Sequence, residues 1–278
     1  MQKGVYFKTA SSSIIDMKKN LVVFLPDLLF FIFTLVLAVL FLYINNLTSI
    51  FVGLDLFTNE IRNIINNTSL SIRLVTSLVF LLLINLLVGL SAISTRYFLL
   101  NNLIKKEKLN LVKAYKESYK YFSSIIGIKL IILGVYLIPL IILLSIGIIY
   151  KPLLILMIIL LIFVWIIFKF VFLFVYASLF LKVNKGSIRS VKESIDYFNK
   201  NKKHVILTGL FVFVVVFFVS LVFSFIPNYL TAADQSFLVF TPIVVIYTII
   251  KALIDIVLLI WSSLFIFRNY QTSTDKKS

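Results

Sequence analysis

The chain has 278 residues, of which 61% are hydrophobic and only 14% charged. A soluble domain carries about 45–50% apolar and about 25% charged residues, so lipid must be the solvent for most of this surface. The absence of cysteine excludes disulfides, thiol nucleophiles and cysteine metal sites, and the net charge of +16 calls for an anionic counterpart.

Residues 1–20 are polar and amphipathic. They do not read as a secretory signal, because the apolar run that follows is too long for a cleaved signal core. Six runs are long enough to cross about 30 Å of hydrocarbon, which takes about 20 helical residues. They lie at Leu21–Ile44, Ile72–Leu100, Ser124–Ile149, Leu153–Leu181, Val205–Ile226 and Phe237–Phe267. Backbone groups in lipid must pair within their own segment, so these are helices. Alternation with period two, the mark of a membrane barrel, is absent.

One short segment recurs before each pair of spans. Val112–Phe122 reads VKAYKESYKYF and Ile188–Phe198 reads IRSVKESIDYF. A fainter copy, FKTASSSIIDM, covers Phe7–Met17, with Ser13 aligned to Ser118 and Ser194. In each copy apolar residues recur at intervals of three, four and three: Phe7, Ala10, Ile14 and Met17; Val112, Tyr115, Tyr119 and Phe122; Ile188, Val191, Ile195 and Phe198. That spacing makes one apolar stripe on a helix whose other faces carry Lys, Arg, Glu and Ser. Such a helix is expected to lie in the membrane interface as an elbow; an ordinary connector packed on the bundle is the alternative. The expected fold is therefore all-α. Six transmembrane helices form three hairpins, each preceded by an amphipathic elbow, in a threefold parallel repeat. The units are expected at about 1–104, 105–184 and 185–270 of one membrane domain, with a disordered tail at 271–278.

Charge sets the orientation. Most of the basic residues fall in the N-terminal segment, the loops after the second and fourth spans, and the C-terminal tail, whereas the opposite loops hold only Arg62, Arg73 and Lys151. Both termini are expected on the cytoplasmic side of the cell membrane. Anionic inner-leaflet lipid is the expected partner for the basic elbows, at about 1 kcal/mol per basic residue near the surface. Lys8, Lys113, Lys116, Lys120, Arg189 and Lys192 are the candidate headgroup contacts. Topology accounts for the basic charge, so no nucleic-acid partner is expected; a protein partner or a homo-oligomer stays open.

Ionisable residues within spans are candidates for function. Arg96 and Lys129 lie near the inner ends of their helices and are expected to snorkel. Asp27 follows Pro26, where the free N–H groups and dipole of a helix start favour a carboxylate. Lys169 and Asp255 each lie 13 residues before a basic residue at an inner helix end, Lys182 and Arg268. A shared depth suggests a contact between them, with Lys251 one turn from Asp255. The cluster Lys169, Lys251 and Asp255 would then receive a small anion; a structural pair, or Lys251 alone satisfying Asp255, is the alternative. Asn85 is expected to join helices, Pro139 to kink its helix, Trp165 and Trp261 to pack, and His204 to sit at the interface.

Chemistry is scarce. No Gly-rich phosphate loop is present among the eight glycines, and the lone His204 supports neither a metal cluster nor a Ser/His/Asp set. Asp27 and Asp255 lie at different depths, which argues against a close acid pair. No enzymatic activity, cofactor or metal is expected.

Lys18-Lys19-Asn20 leading into Phe24-Leu25-Pro26, with the two Lys-Glu-Ser elbows, carry a resemblance. They resemble a broad group of uncharacterised prokaryotic six-helix membrane proteins. They are similar also to the membrane domain fused to some bacterial glycerophosphodiester phosphodiesterases. The resemblance implies a six-helix integral membrane domain; the phosphodiesterase catalytic domain has no counterpart here, so it implies no such activity. The expected function is that of a scaffold or accessory subunit binding lipid or a partner protein. The alternative is a transporter or channel for a small anionic solute using Lys169, Lys251 and Asp255.

Overall fold

The computed structural model describes residues 4–47, 54–149, 154–182, 186–232 and 242–275. Every element among them is helical. α1 (Gly4–Lys19) ends where the Asn20 side chain donates to Asp16 O at 2.9 Å. A 3-10 turn, Leu21–Phe24, leads into α2 (Leu25–Ile44), whose first turn holds Pro26, a position where its missing N–H costs nothing.

The connection between the first two spans contains a helix, α3 (Leu54–Asn66). Its Leu54, Phe57, Ile61 and Ile64 carry the same three-four-three spacing as the elbows. α4 (Thr68–Ile104) starts on Asn67, whose side chain accepts hydrogen bonds from Ser69 N and Leu70 N. It ends where Lys106 takes a left-handed conformation (φ 58°) and Glu107 N donates back to Asn102 O at 2.9 Å.

α5 (Leu111–Ser118) is capped by Asn110, whose side chain accepts from Lys113 N at 3.0 Å. A 3-10 turn, Tyr119–Tyr121, joins it to α6 (Phe122–Ile149), which runs through Pro139 as one element. The fourth span is interrupted. α7 (Leu154–Val171) and α8 (Val175–Leu181) are separated by a turn in which Leu173 N donates to Phe170 O and Val175 N to Phe172 O, both at 3.2 Å. α9 (Ser187–Lys200), α10 (Lys202–Ala232) and α11 (Pro242–Asp275) complete the chain. α11 carries on through 271–275, where the tail was expected.

Among the described residues six helical stretches are long and apolar enough to cross a membrane: Leu21–Ile44, Thr68–Ile104, Leu111–Leu143, Ile158–Leu181, Lys202–Phe223 and Val245–Ser273. The second helices of the three hairpins, α4, α8 and α11, pack on one another pairwise. The first helices lie against them: α2 on α4 and α11, α6 on α4 and α7, α10 on α7 and α11. The short helices pack on the second helix of the neighbouring hairpin. α5 lies on α4, α9 on α8, and α1 on α11, the last joining the two ends of the chain.

The core sits where the short helices meet the spans. Leu99, Leu100, Ile125, Phe174, Phe180, Leu264, Phe265 and Phe267 are all fully buried there. At the other end Val36, Leu82, Ile141, Ile159 and Phe218 point outward. Large apolar side chains exposed along whole spans have lipid as their natural solvent. Trp165, expected to pack, is 48% exposed; Trp261 is buried as expected. Lys169 lies over the Trp165 ring at 4.4 Å and shields part of it.

Candidate functional site

The aligned serines show how the short helices attach. Ser13, Ser118 and Ser194 are all buried, as are Ser94, Ser178 and Ser263 on the helices that receive them. Ser94 Oγ donates to Ser118 O at 2.7 Å, and the Thr95 and Ser118 hydroxyls lie 3.1 Å apart. Ser194 Oγ donates to Val171 O at 2.7 Å, satisfying a carbonyl at the break between α7 and α8. Ser178 Oγ donates to Glu193 Oε2 at 3.2 Å, and Lys182 pairs with the same carboxylate at 3.7 Å. On α1, Arg268 of α11 pairs with Asp16 and donates to Ser12 Oγ. Tyr6 OH shares a hydrogen bond of 3.0 Å with His204 Nδ1, and His204 Nε2 lies 3.4 Å from Asn269 O. The one histidine thus ties α1 to α10 and α11. Burial raises the Tyr6 and Tyr197 hydroxyls above their ordinary range, so both keep their protons.

The stripe residues divide between two roles. Ala10, Met17 and Val191 are buried. Phe7, Val112 and Ile188, one from each short helix, are 70%, 79% and 76% exposed. The candidate headgroup residues Lys8, Lys113, Lys116, Lys120, Arg189 and Lys192 are all exposed. Lys113 pairs with Glu117 along its own helix at 3.6 Å, and Lys120 lies 5.9 Å from the Phe98 ring and 5.3 Å from Tyr121.

A buried charge pair lies beside this attachment layer. Arg96 Nη1 donates to Asp27 Oδ1 at 2.6 Å, with the two side chains 5% and 8% exposed. Arg96 was expected to snorkel, and instead it turns inward. The reason is its partner, a carboxylate at the start of the adjacent antiparallel helix; in so dry a place each charge needs the other. Arg96 also lies over the Tyr97 ring at 4.8 Å. Tyr97 in turn stacks between Tyr176 of α8 (4.7 Å) and Phe267 of α11 (5.5 Å), so all three second helices meet at one ring. Asp27 Oδ2 and Arg96 Nε have no hydrogen-bond partner among the described residues. Lys129 of α6, also expected to snorkel, is exposed.

The cluster proposed from shared depth does not assemble. Lys169 and Asp255 are exposed, and among the described residues no ion pair or hydrogen bond joins Lys169, Lys251 and Asp255. α10 packs against both α7 and α11, and the break at residues 172–174 upsets the helical rise from which the depth of Lys169 was counted. Asn85 does join helices: Thr34 Oγ1 donates to its Oδ1 at 2.9 Å. Among the described residues no group of three or more His, Cys, Asp or Glu side chains is placed to hold a metal ion.

No family model, curated protein or solved structure matches the chain.

Proposed function

We propose that this chain is a non-enzymatic multi-pass protein of the cell membrane, a scaffold or accessory subunit that holds anionic inner-leaflet lipid with its elbow helices. In this reading three units of elbow and hairpin repeat along the chain, α1, α5 and α9 are the elbows, and both termini face the cytoplasm. The observation that carries it is the outward set of Phe7, Val112 and Ile188 beside exposed lysines, while the aligned serines face the bundle. A helix held by a small polar face, with large apolar groups and ammonium groups turned outward, suits the headgroup boundary of a bilayer. Exposed basic residues on each of the three helices, among them Lys8, Lys113, Lys116, Arg189 and Lys192, supply the attraction to anionic headgroups.

The test is native mass spectrometry of the full chain taken from nanodiscs of phosphatidylcholine with a minor share of phosphatidylglycerol. Retained lipid should be enriched in phosphatidylglycerol, and the combined Lys113→Gln, Lys116→Gln and Lys192→Gln variant should lose much of that enrichment. Retention in proportion to the bilayer composition would overturn the proposal.

A further inference from the structure

A groove of about 580 Å³ opens beneath α1, between α10 and α11. Its volume lies within the range of about 300–1,000 Å³ typical of small-ligand sites. Ile14 and Met17 of α1 form one wall, Phe211 of α10 another, and Val257 and Trp261 of α11 a third. The lining is apolar apart from Lys18, which stands at the end of α1 where the chain turns into α2. Lys18 is exposed and in no ion pair among the described residues, and no acidic residue lines the groove. Val257 lies one turn from Trp261 along α11, on the side away from the short helices, so the groove runs from the elbow layer into the spans.

We propose that this groove binds one acyl chain of an anionic glycerophospholipid, with Lys18 Nζ holding the phosphate. The site rests on the lipid-binding function proposed above and gives it a location. Two features select this occupant. The wall can receive only hydrocarbon, since a polar chain would lose its hydrogen bonds there. The single cation sits at the mouth, where a headgroup would lie, and leaves an uncompensated positive charge for it. A neutral phospholipid satisfies the wall but brings its own cation to Lys18.

Trp261 reports on the site directly. The chain has two tryptophans, and Trp165→Phe leaves Trp261 alone. Trp261 is 6% exposed, so bulk lipid reaches it poorly. The full-length Trp165→Phe protein is reconstituted in phosphatidylcholine vesicles containing a small share of chain-brominated phosphatidylglycerol or chain-brominated phosphatidylcholine. Trp261 fluorescence should be quenched at lower mole fraction by the anionic lipid. Lys18→Gln should reduce that preference about fivefold, equivalent to about 1 kcal/mol. Lys19→Gln removes the same charge one residue away, at a position that does not line the groove, and should leave the preference unchanged. Equal quenching by the two lipids, or an equal effect of Lys18→Gln and Lys19→Gln, would overturn the site. If Trp261 shows no preference while the whole protein still retains phosphatidylglycerol in native mass spectra, only the groove assignment fails. If neither measurement shows a preference, the lipid-binding function fails with it.

Discussion

Arg96 Nη1 meets Asp27 Oδ1 at 2.6 Å, so the C-terminal part of α4 is locked to the first turn of α2 by a pair that water barely reaches. Asp27→Ala should strand the guanidinium and destabilise the bundle by about 3–5 kcal/mol. Replacing both charges with apolar groups, Asp27→Leu with Arg96→Met, should recover most of that loss. Thermal unfolding in detergent compares the two, and a single variant as stable as the parent would refute the coupling.

Ser194 supports the break in the fourth span. Its hydroxyl donates to Val171 O at 2.7 Å, and Ser194→Ala leaves that carbonyl without its donor. The cost should be about 1–3 kcal/mol, with faster amide hydrogen exchange across residues 172–176. Unchanged exchange there would mean the turn holds without α9.

Glycine tolerance separates close packing from open helix surface. A Cβ at Gly209 would lie 2.5 Å from Phe170 Cε1, whereas at Gly134 nothing stands within 4 Å. Gly209→Ala should cost about 1–3 kcal/mol by forcing the ring aside. Gly134→Ala should be neutral or stabilise by up to about 1 kcal/mol through helix propensity. Shrinking the ring with Phe170→Leu should rescue Gly209→Ala; unfolding temperatures of the three variants check the pattern.

Arg268 holds the start of the chain to its end through Asp16 and Ser12. Arg268→Gln should loosen α1 while leaving α5 and α9 attached through their serines. Limited proteolysis should then cut within residues 4–19 faster than in the parent, with no change around α5. Equal protection in both proteins would show that Tyr6 and the apolar contacts suffice.

Nitroxide labels at Phe7, Val112 and Ile188 test where the elbows lie. If the proposed lipid-facing placement holds, each should in bilayers collide more with oxygen than with a water-soluble relaxing agent. Labels dominated by the aqueous agent would place those helices in water and remove the ground for elbow lipid binding.

Depth along the helices is legible in the sequence only in part. Asp27 lies near the start of the first span and Arg96 near the end of the second, so adjacent antiparallel helices bring them level. Equal counts from a helix end pair Lys169 with Asp255, but their helices both pack on α10 and the turn at residues 172–174 interrupts the count. Shared depth is necessary for a contact, but helix rotation and neighbour order decide it. The spacing of Leu54, Phe57, Ile61 and Ile64 carries the signal for α3 within a segment rich in Asn.

Local rules were enough for the elements. Runs of Ile, Leu, Val and Phe long enough to cross lipid, set between polar segments, determined six apolar helices, because unpaired backbone has no alternative there. Pro26 and the spacing of the recurring segments were likewise local and readable. Only the tertiary structure decided which face each short helix gives to the bundle. Ala10, Ser13, Ser118 and Ser194 go in and Phe7, Val112 and Ile188 stay out, because close helix contact needs small side chains. It also decided that α1 closes onto α11 and that Arg96 turns toward Asp27. Those outcomes depend on which helices are neighbours, and a pattern of hydrophobicity along one chain does not encode that order.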